Sequence, residues 1–169
     1  PYVDANLSLD LFSGTLLTSP TRVASATVTF RTLVDSSVDL SLVRSGAAFD
    51  INDTAQLIDF GVLSSGEQRG FDLIVRSNNG YAVTMQSENR QVMVHDRSPA
   101  VADTVSYQVV LNGGAVDLST GSPVQVLSGT GTTPATGTSF PIEFTVGNLS
   151  GAEAAGTYSD VINVTVTAN

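Results

Sequence analysis

The sequence predicts an all-β protein built as an antiparallel sandwich. Three observations carry this. Apolar residues recur at every second position in one short run after another, the spacing that places them on one face of a strand. Those runs are separated by clusters of Gly, Asn and Ser, residues that turn a chain. No stretch sustains a helical period, and Val, Thr, Ser and Gly dominate the composition. Many short strands with closely spaced turns indicate two packed antiparallel sheets.

The elements follow in chain order. Val3, Ala5, Leu7, Leu9 and Leu11 alternate with Asp4, Asn6, Ser8 and Asp10. After a loop at Ser13–Arg22, Ala24, Ala26, Val28 and Phe30 alternate with Ser25, Thr27, Thr29 and Arg31. A third run sets Val38, Leu40 and Leu42 against Asp39, Ser41 and Val43. Leu57–Leu63, carrying Ile58, Phe60 and Val62, reads as a strand followed by the turn Ser64-Ser65-Gly66. Gly70–Ser77 and Tyr81–Glu88 flank Asn78-Asn79-Gly80, and an Asn-Gly pair between apolar runs is a strong hairpin signal. Val105–Asn112 is turned by Asn112-Gly113-Gly114 into Ala115–Leu118, and Val124–Leu127 is a short strand. Phe140, Ile142, Phe144 and Val146 alternate with Pro141, Glu143, Thr145 and Gly147. The glycine-rich stretch 147–156 is a loop. Beyond it, Tyr158, Ile162, Val164, Val166 and Ala168 share one face of a final strand.

Composition removes much chemistry. The chain has 169 residues, enough for one domain with a real core; apolar residues make up 41% and charged residues 14%, the balance of a folding chain. It has no cysteine, and all seven basic residues are arginine. Thiol nucleophiles, thiolate metal sites, disulfides, Schiff-base lysines and phosphate-loop lysines are thereby excluded. The net charge of −9, with the arginines dispersed among more numerous carboxylates, argues against a nucleic-acid partner. No apolar run approaches the roughly 20 residues of a membrane helix, so no membrane insertion is expected. The chain opens at Pro1, as a mature or trimmed product would.

The remaining polar features read as structure, with no catalytic residue, no cofactor and no metal expected. His95, beside Asp96, has no nucleophile elbow to serve and reads as a solvated strand end. Asp50-Ile-Asn-Asp-Thr54 offers oxygen ligands but lacks the spaced acidic loop of a calcium site, so it reads as a turn. Gly129–Gly137 lacks a lysine and contains Pro134, which makes it a surface loop rather than a phosphate cradle. Asn-x-Ser/Thr patterns begin at Asn6, Asn52, Asn148 and Asn163, and in a Ser/Thr-rich chain these are chance occurrences. Tyr81, Tyr107 and Tyr158 are expected in the core or, for Tyr158, at a corner leading into the last strand.

The order of these pieces resembles a known family. Asp59-Phe-Gly-Val-Leu-Ser-Ser-Gly66, Phe71-Asp-Leu-Ile-Val-Arg-Ser-Asn78 and Gly80-Tyr-Ala-Val-Thr-Met-Gln-Ser87 are similar to the centre of spore coat protein U domains and of archaic chaperone–usher pilus subunits. Ser106-Tyr-Gln-Val-Val-Leu-Asn-Gly113 matches the next strand, and Gly156-Thr-Tyr-Ser-Asp160 leads into the last one. The resemblance spans residues 23–169, leaving 1–22 as an N-terminal extension, a donor strand or a linker. Two departures stand out: many members carry a cysteine pair, and this chain begins about twenty residues before the usual family start.

The resemblance implies an immunoglobulin-like sandwich lacking one strand, completed by strand donation from a neighbour. A periplasmic chaperone would fill the open groove first. An outer-membrane usher would then exchange that strand for the N-terminal strand of an identical or related subunit, giving a homopolymeric cell-surface fimbria. The family places the donor at Ala24, Ala26, Val28 and Phe30. Val3, Ala5, Leu7, Leu9 and Leu11 are the alternative, because a free terminus is easily donated. Phe140, Ile142, Phe144 and Val146, with Ile162, Val164 and Val166, are expected to wall the groove. Other readings are a secreted spore-coat-like or biofilm matrix protein, and a carbohydrate-binding adhesin module.

Overall fold

A computed structural model describes residues 2–13, 21–97 and 104–169, and among these every regular element is a strand. The chain forms two compact units, Pro1–Asp35 and Ser36–Asn169.

The first unit is an antiparallel hairpin of β1 (Tyr2–Ser13) and β2 (Thr21–Leu33). The loop between them falls mostly on 14–20, outside the described residues. The ladder runs from Tyr2 opposite Leu33 to Ser13 opposite Thr21, with Val23 bulged where the register shifts. The run Ala24–Phe30 pairs with residues 5–11, and the first compact unit ends at Asp35.

The second unit is an antiparallel sandwich. Its strands are β3 (Val38–Val43), β4 (Gln68–Ser77), β5 (Tyr81–Ser87), β6 (Val92–His95), β7 (Thr104–Leu111), β8 (Gly114–Val116), β9 (Val124–Gly129), β10 (Thr138–Val146), β11 (Tyr158–Ser159) and β12 (Ile162–Ala168). The larger sheet runs β11-β6-β7-β10-β4-β3, with β8 also on β7; the smaller runs β12-β5-β9. Leu73, Val75, Val83, Met85, Val109, Ile142 and Val146 interdigitate between the layers, each almost wholly buried. Phe71 stacks on Phe144 with ring centroids 5.8 Å apart.

β5 buries alternate residues and leaves the others half-exposed, as a strand with one covered face must. β4 buries five residues in succession, Phe71–Val75, because loops cover its outer face as well. There the Asp72 carboxylate accepts from the Gly46 amide at 2.9 Å, which offsets its burial.

Several elements depart from the sequence reading. Asn78-Asn79-Gly80 does not close a hairpin: β4 lies in the larger sheet and β5 in the smaller, so the chain arches over the core. A two-residue hairpin loop needs positive φ, which Asn112 (50°) and Gly113 (80°) supply between β7 and β8 and none of residues 78–80 does. Leu57–Leu63 is not a strand. The Gly61 amide is taken by Asp59 Oδ1 at 2.7 Å and Gly61 turns at φ 62°, which breaks the extended backbone. Its alternation holds only as packing and only as far as Phe60: Ile58 and Phe60 lie against the core, but beyond the Gly61 turn Val62 is in water and Leu63 takes the core position. The last strand is two strands. β11 pairs with β6 in the larger sheet, and β12 pairs with β5 in the smaller.

One end of the sandwich gathers three parts of the chain. The Ser37 amide donates to Asn78 Oδ1 at 2.8 Å, while Asn79 Nδ2 donates to Ser36 Oγ at 3.0 Å and to the Asn169 carbonyl at 2.6 Å.

Candidate assembly site

The two segments expected to compete as donor are each other's partners. In the hairpin ladder Ala5 lies opposite Phe30, Leu7 opposite Val28, Leu9 opposite Ala26 and Leu11 opposite Ala24. Directly opposite residues share a face, so both apolar rows fall on one side of the hairpin. Val3 sits opposite Thr32 at the end of the row. The other side is polar: Thr29 Oγ1 donates to Asn6 Oδ1 at 2.9 Å, and Arg22 Nε lies 3.6 Å from Asp10. Within the hairpin itself nothing covers the apolar face, and Leu7 is 50% exposed, Leu11 63% and Phe30 59%. An isolated two-stranded hairpin is marginally stable in water, so this face calls for a partner.

The segments expected to wall a groove lie in different sheets. β10 is paired on both sides, by β4 and β7, and its Ile142, Phe144 and Val146 are core residues. Its backbone therefore has no free side, and it is a central strand that contributes side chains to the core. Phe140, near its start, is half-buried against the core. The sequence period shows which face is apolar but not how many neighbours a strand has.

β12 is an edge. It pairs with β5 alone among the described residues, and Ile162, Val164 and Val166 are only half-buried on the core. The Val161 carbonyl and the Asn169 amide bond toward β5. By antiparallel alternation, the backbone groups of Ile162, Val164, Val166 and Ala168 point to the free side. In immunoglobulin terms β3-β4-β10-β7 take the A-B-E-D places, and β5 and β12 the C and F places. The G place is the free side of β12, where no strand lies among the described residues.

β3, the first strand of the sandwich, is a half-open edge that the pattern did not single out. Its Leu42 amide donates to the Asp53 carbonyl at 2.7 Å, and its Leu42 carbonyl accepts from Gln56 Nε2 at 2.7 Å. The loop from Asp50 to Gln56 thus covers the second half of that side. Within the same loop Asp50 Oδ1 accepts from the Asn52 amide at 2.9 Å, which makes it a side-chain-capped turn.

The residues of Gly156-Thr-Tyr-Ser-Asp160 have structural work. Gly156 lies flat against the His95 ring, where a Cβ would collide. Tyr158 meets that ring edge-on, centroids 5.0 Å apart, and its hydroxyl donates to the Ala154 carbonyl at 2.9 Å, forming the expected corner. Asp160 is a hub where the chain passes from the larger sheet to the smaller. Its Oδ2 accepts from Ser87 Oγ at 2.6 Å and from the Tyr107 hydroxyl at 2.5 Å, and its Oδ1 accepts from the amides of Asn89 and Val161. Burial, reinforced by the bond to Asp160, pushes the Tyr107 phenol well above its ordinary value.

His95 is buried, not solvated. Its Nδ1 accepts from the Arg97 amide at 3.0 Å, which leaves Nε2–H facing the Ala155 carbonyl at 3.3 Å. Tyr81 and Tyr107 are core residues. Thr133 anchors the loop Gly129–Gly137 by bonding both backbone groups of Ser77, its own amide included. Among the described residues no three His, Asp or Glu side chains converge as metal ligands. A shallow hollow of about 390 Å³, lined by Phe49, Ile74, Arg76 and Ser139 among others, has Arg76 stacked 4.8 Å over Phe49 and gathers no titratable cluster.

No family model matches the chain, and no curated protein matches it. Solved structures do. One is from a study of a chaperone–tip adhesin complex in CFA/I fimbriae biogenesis, at TM-score 0.52 and 10% identity, covering 99% of this chain and 53% of that one. The chain thus spans about half the length of that relative. Another is the CooA pilin subunit from enterotoxigenic Escherichia coli, at TM-score 0.44 and 12% identity, covering 77% of this chain and 86% of that one. At these identities the first likeness speaks for the fold: an all-β, immunoglobulin-like antiparallel sandwich.

Proposed function

We propose that the chain is a structural subunit of a bacterial surface fibre, joined head-to-tail by donation of its N-terminal β segment to the next subunit. The observation that carries this is a pair of complementary deficits in one chain. The hairpin has an uncovered apolar face, and the sandwich has a free edge at β12 beside half-buried core residues. Strand addition satisfies both, since ladder hydrogen bonds and alternate side chains are supplied together. Leu7, Leu9, Leu11, Val28 and Phe30 are about half exposed, so completing their burial, at about 1.5–3 kcal/mol per whole side chain, gives on the order of 5 kcal/mol before association costs. Ladder hydrogen bonds along β12 supply the rest of a long-lived, non-covalent link. A donor at one part of the chain and an acceptor at another give a contact that does not close on itself, and such contacts build filaments.

In this reading a periplasmic chaperone covers the β12 edge before assembly, an outer-membrane usher exchanges it for the neighbour's segment, and the product stands on the cell surface. The subunit performs no catalysis and needs no cofactor. Purified chain run on denaturing gels without boiling should give a ladder that collapses on heating. A monomer band alone would rule the fibre subunit out and leave a coat or matrix protein.

A further inference from the structure

We propose that Asn112 is a site of spontaneous covalent modification, at which the chain converts its own side-chain amide into aspartate and isoaspartate. The inference concerns the sandwich alone and does not depend on the fibre reading. Three relationships carry it.

The first is sequence. A backbone amide nitrogen closes most readily on the side-chain carbonyl carbon of a preceding asparagine when it belongs to glycine, which brings no Cβ into the approach. Asn precedes Gly at Asn79-Gly80 and at Asn112-Gly113, and nowhere else in the chain.

The second is freedom at the β7–β8 turn. Asn112 and Gly113 are its two loop residues, and both are exposed. The ladder pairs Leu111 with Gly114, so the Gly113 amide is left over at the tip and bonds no acceptor among the described residues. The Asn112 side chain is equally unheld there, because the turn is anchored through the Asn112 backbone amide, which donates to the Pro141 carbonyl at 2.8 Å. A Cβ on Gly113 would meet nothing within 4 Å, so the tip is open to water.

The third is the contrast with Asn79. Its Nδ2 donates to Ser36 Oγ at 3.0 Å and to the Asn169 carbonyl at 2.6 Å. Its backbone is pinned as well, the amide donating to Ser77 Oγ at 3.2 Å and the carbonyl accepting from it at 2.8 Å. Gly80 is buried, and a Cβ there would stand 3.0 Å from the Gly129 carbonyl oxygen. Asn79 cannot swing its carboxamide toward Gly80 without breaking both Nδ2 bonds.

The chemistry needs only water. The Gly113 nitrogen bonds to Asn112 Cγ and gives up its proton, the Cγ–Nδ2 bond breaks, and Nδ2 leaves with that proton as ammonia. Water then opens the five-membered imide. Cleavage at Cγ gives aspartate, and cleavage at the Asn112 backbone carbonyl carbon gives isoaspartate, whose main chain runs through Cγ. Either product adds one negative charge to a chain already at −9. Aspartate suits the same turn, since Asp-Gly takes a two-residue hairpin loop as Asn-Gly does. Isoaspartate lengthens the loop backbone by a methylene. The Leu111–Gly114 register then fails, and β8, which pairs with β7 alone among the described residues, is released.

The test ages the full chain at pH 8 and 37 °C over weeks. Samples are digested with pepsin in acid, and the peptides carrying residues 79 and 112 are read by mass. A protein isoaspartate methyltransferase counts the isoaspartate. The expected result is a gain of one mass unit, with isoaspartate, at Asn112. Asn79 should react at least about tenfold more slowly, the factor that about 1.4 kcal/mol of added barrier gives, because two hydrogen bonds must break first. In chain unfolded by urea the two rates should converge. Equal rates in the folded chain overturn the proposal, as does an Asn112 still intact once the unfolded chain has converted at both sites. The isoaspartate fraction, separated from the rest, should unfold at a lower urea midpoint than the N112D chain, which should match the unsubstituted one. Equal midpoints for the isoaspartate and N112D chains overturn the release of β8.

Discussion

The Tyr107 hydroxyl donates to Asp160 Oδ2 at 2.5 Å, which joins a core residue of β7 to the point where the chain leaves one sheet for the other. The same oxygen accepts from Ser87 Oγ of β5, so a single carboxylate ties both sheets to the start of β12. Replacing it strands four donors at once. Asp160→Ala should cost about 2–3 kcal/mol, and Tyr107→Phe, which removes one donor and leaves the others paired, about 1–1.5 kcal/mol. Urea unfolding of the two variants checks the order. Equal losses would contradict the hub.

Alkaline pH should weaken the sandwich through the same pair. The folded state holds the Tyr107 proton above the unfolded phenol's value near 10, so its contribution is complete below about pH 10 and is lost as pH rises beyond it. The slope for one such group approaches about 1.4 kcal/mol per pH unit. Burial raises Tyr81 as well, with the same sign. Tyr107→Phe should therefore flatten the dependence without abolishing it, as read from urea midpoints between pH 8 and 11.

Gly156→Ala should push the His95 ring out of its place against Tyr158 and cost about 1–3 kcal/mol, the usual range for overpacking. Because one contact is responsible, the loss should shrink in a His95→Ala background. A double-mutant cycle with no coupling would place the strain elsewhere.

Leu7→Asp with Leu9→Asp puts two charges in the apolar row of β1. The heat-labile ladder should disappear, while the unfolding free energy of the sandwich stays within about 0.5 kcal/mol, as for surface changes. Mixed with unsubstituted chain, the variant still offers β12 and should shorten the ladder by ending it.

The strands with one covered face were legible in the sequence because the side-chain period alone describes them. β5 alternates from Tyr81 to Ser87 as the pattern requires. Relations between strands were not legible. Phe140–Val146 and Ile162–Val166 look alike as sequences, yet β10 is central and β12 an edge, since neighbours are set by sheet order and not by period. Asn78-Asn79-Gly80 and Asn112-Gly113 carry the same turn residues, and only the second pair takes positive φ. Ile58 and Phe60 alternate because they lie across the core, not because they are laddered, and the alternation ends at the Gly61 turn. For the candidate site, the sequence treated the apolar rows in residues 3–11 and 24–30 as rivals, whereas they pair with each other. Equal spacing of two rows is also what partners show, and a period cannot distinguish the two cases.

Asn79 holds Ser36 with one hand and Asn169 with the other, using the same side-chain nitrogen. Ser36 and Asn169 are thus neighbours in space, and a short splice would make the backbone of this unit a ring. A ring has no privileged starting point. A permuted chain, with Asn169 spliced to Ser36 through a few residues and new ends opened in the exposed loop 130–132, should keep the same strand order in space. As a module, the sandwich can be set into the surface loop of another protein, because it leaves that loop at the point where it entered.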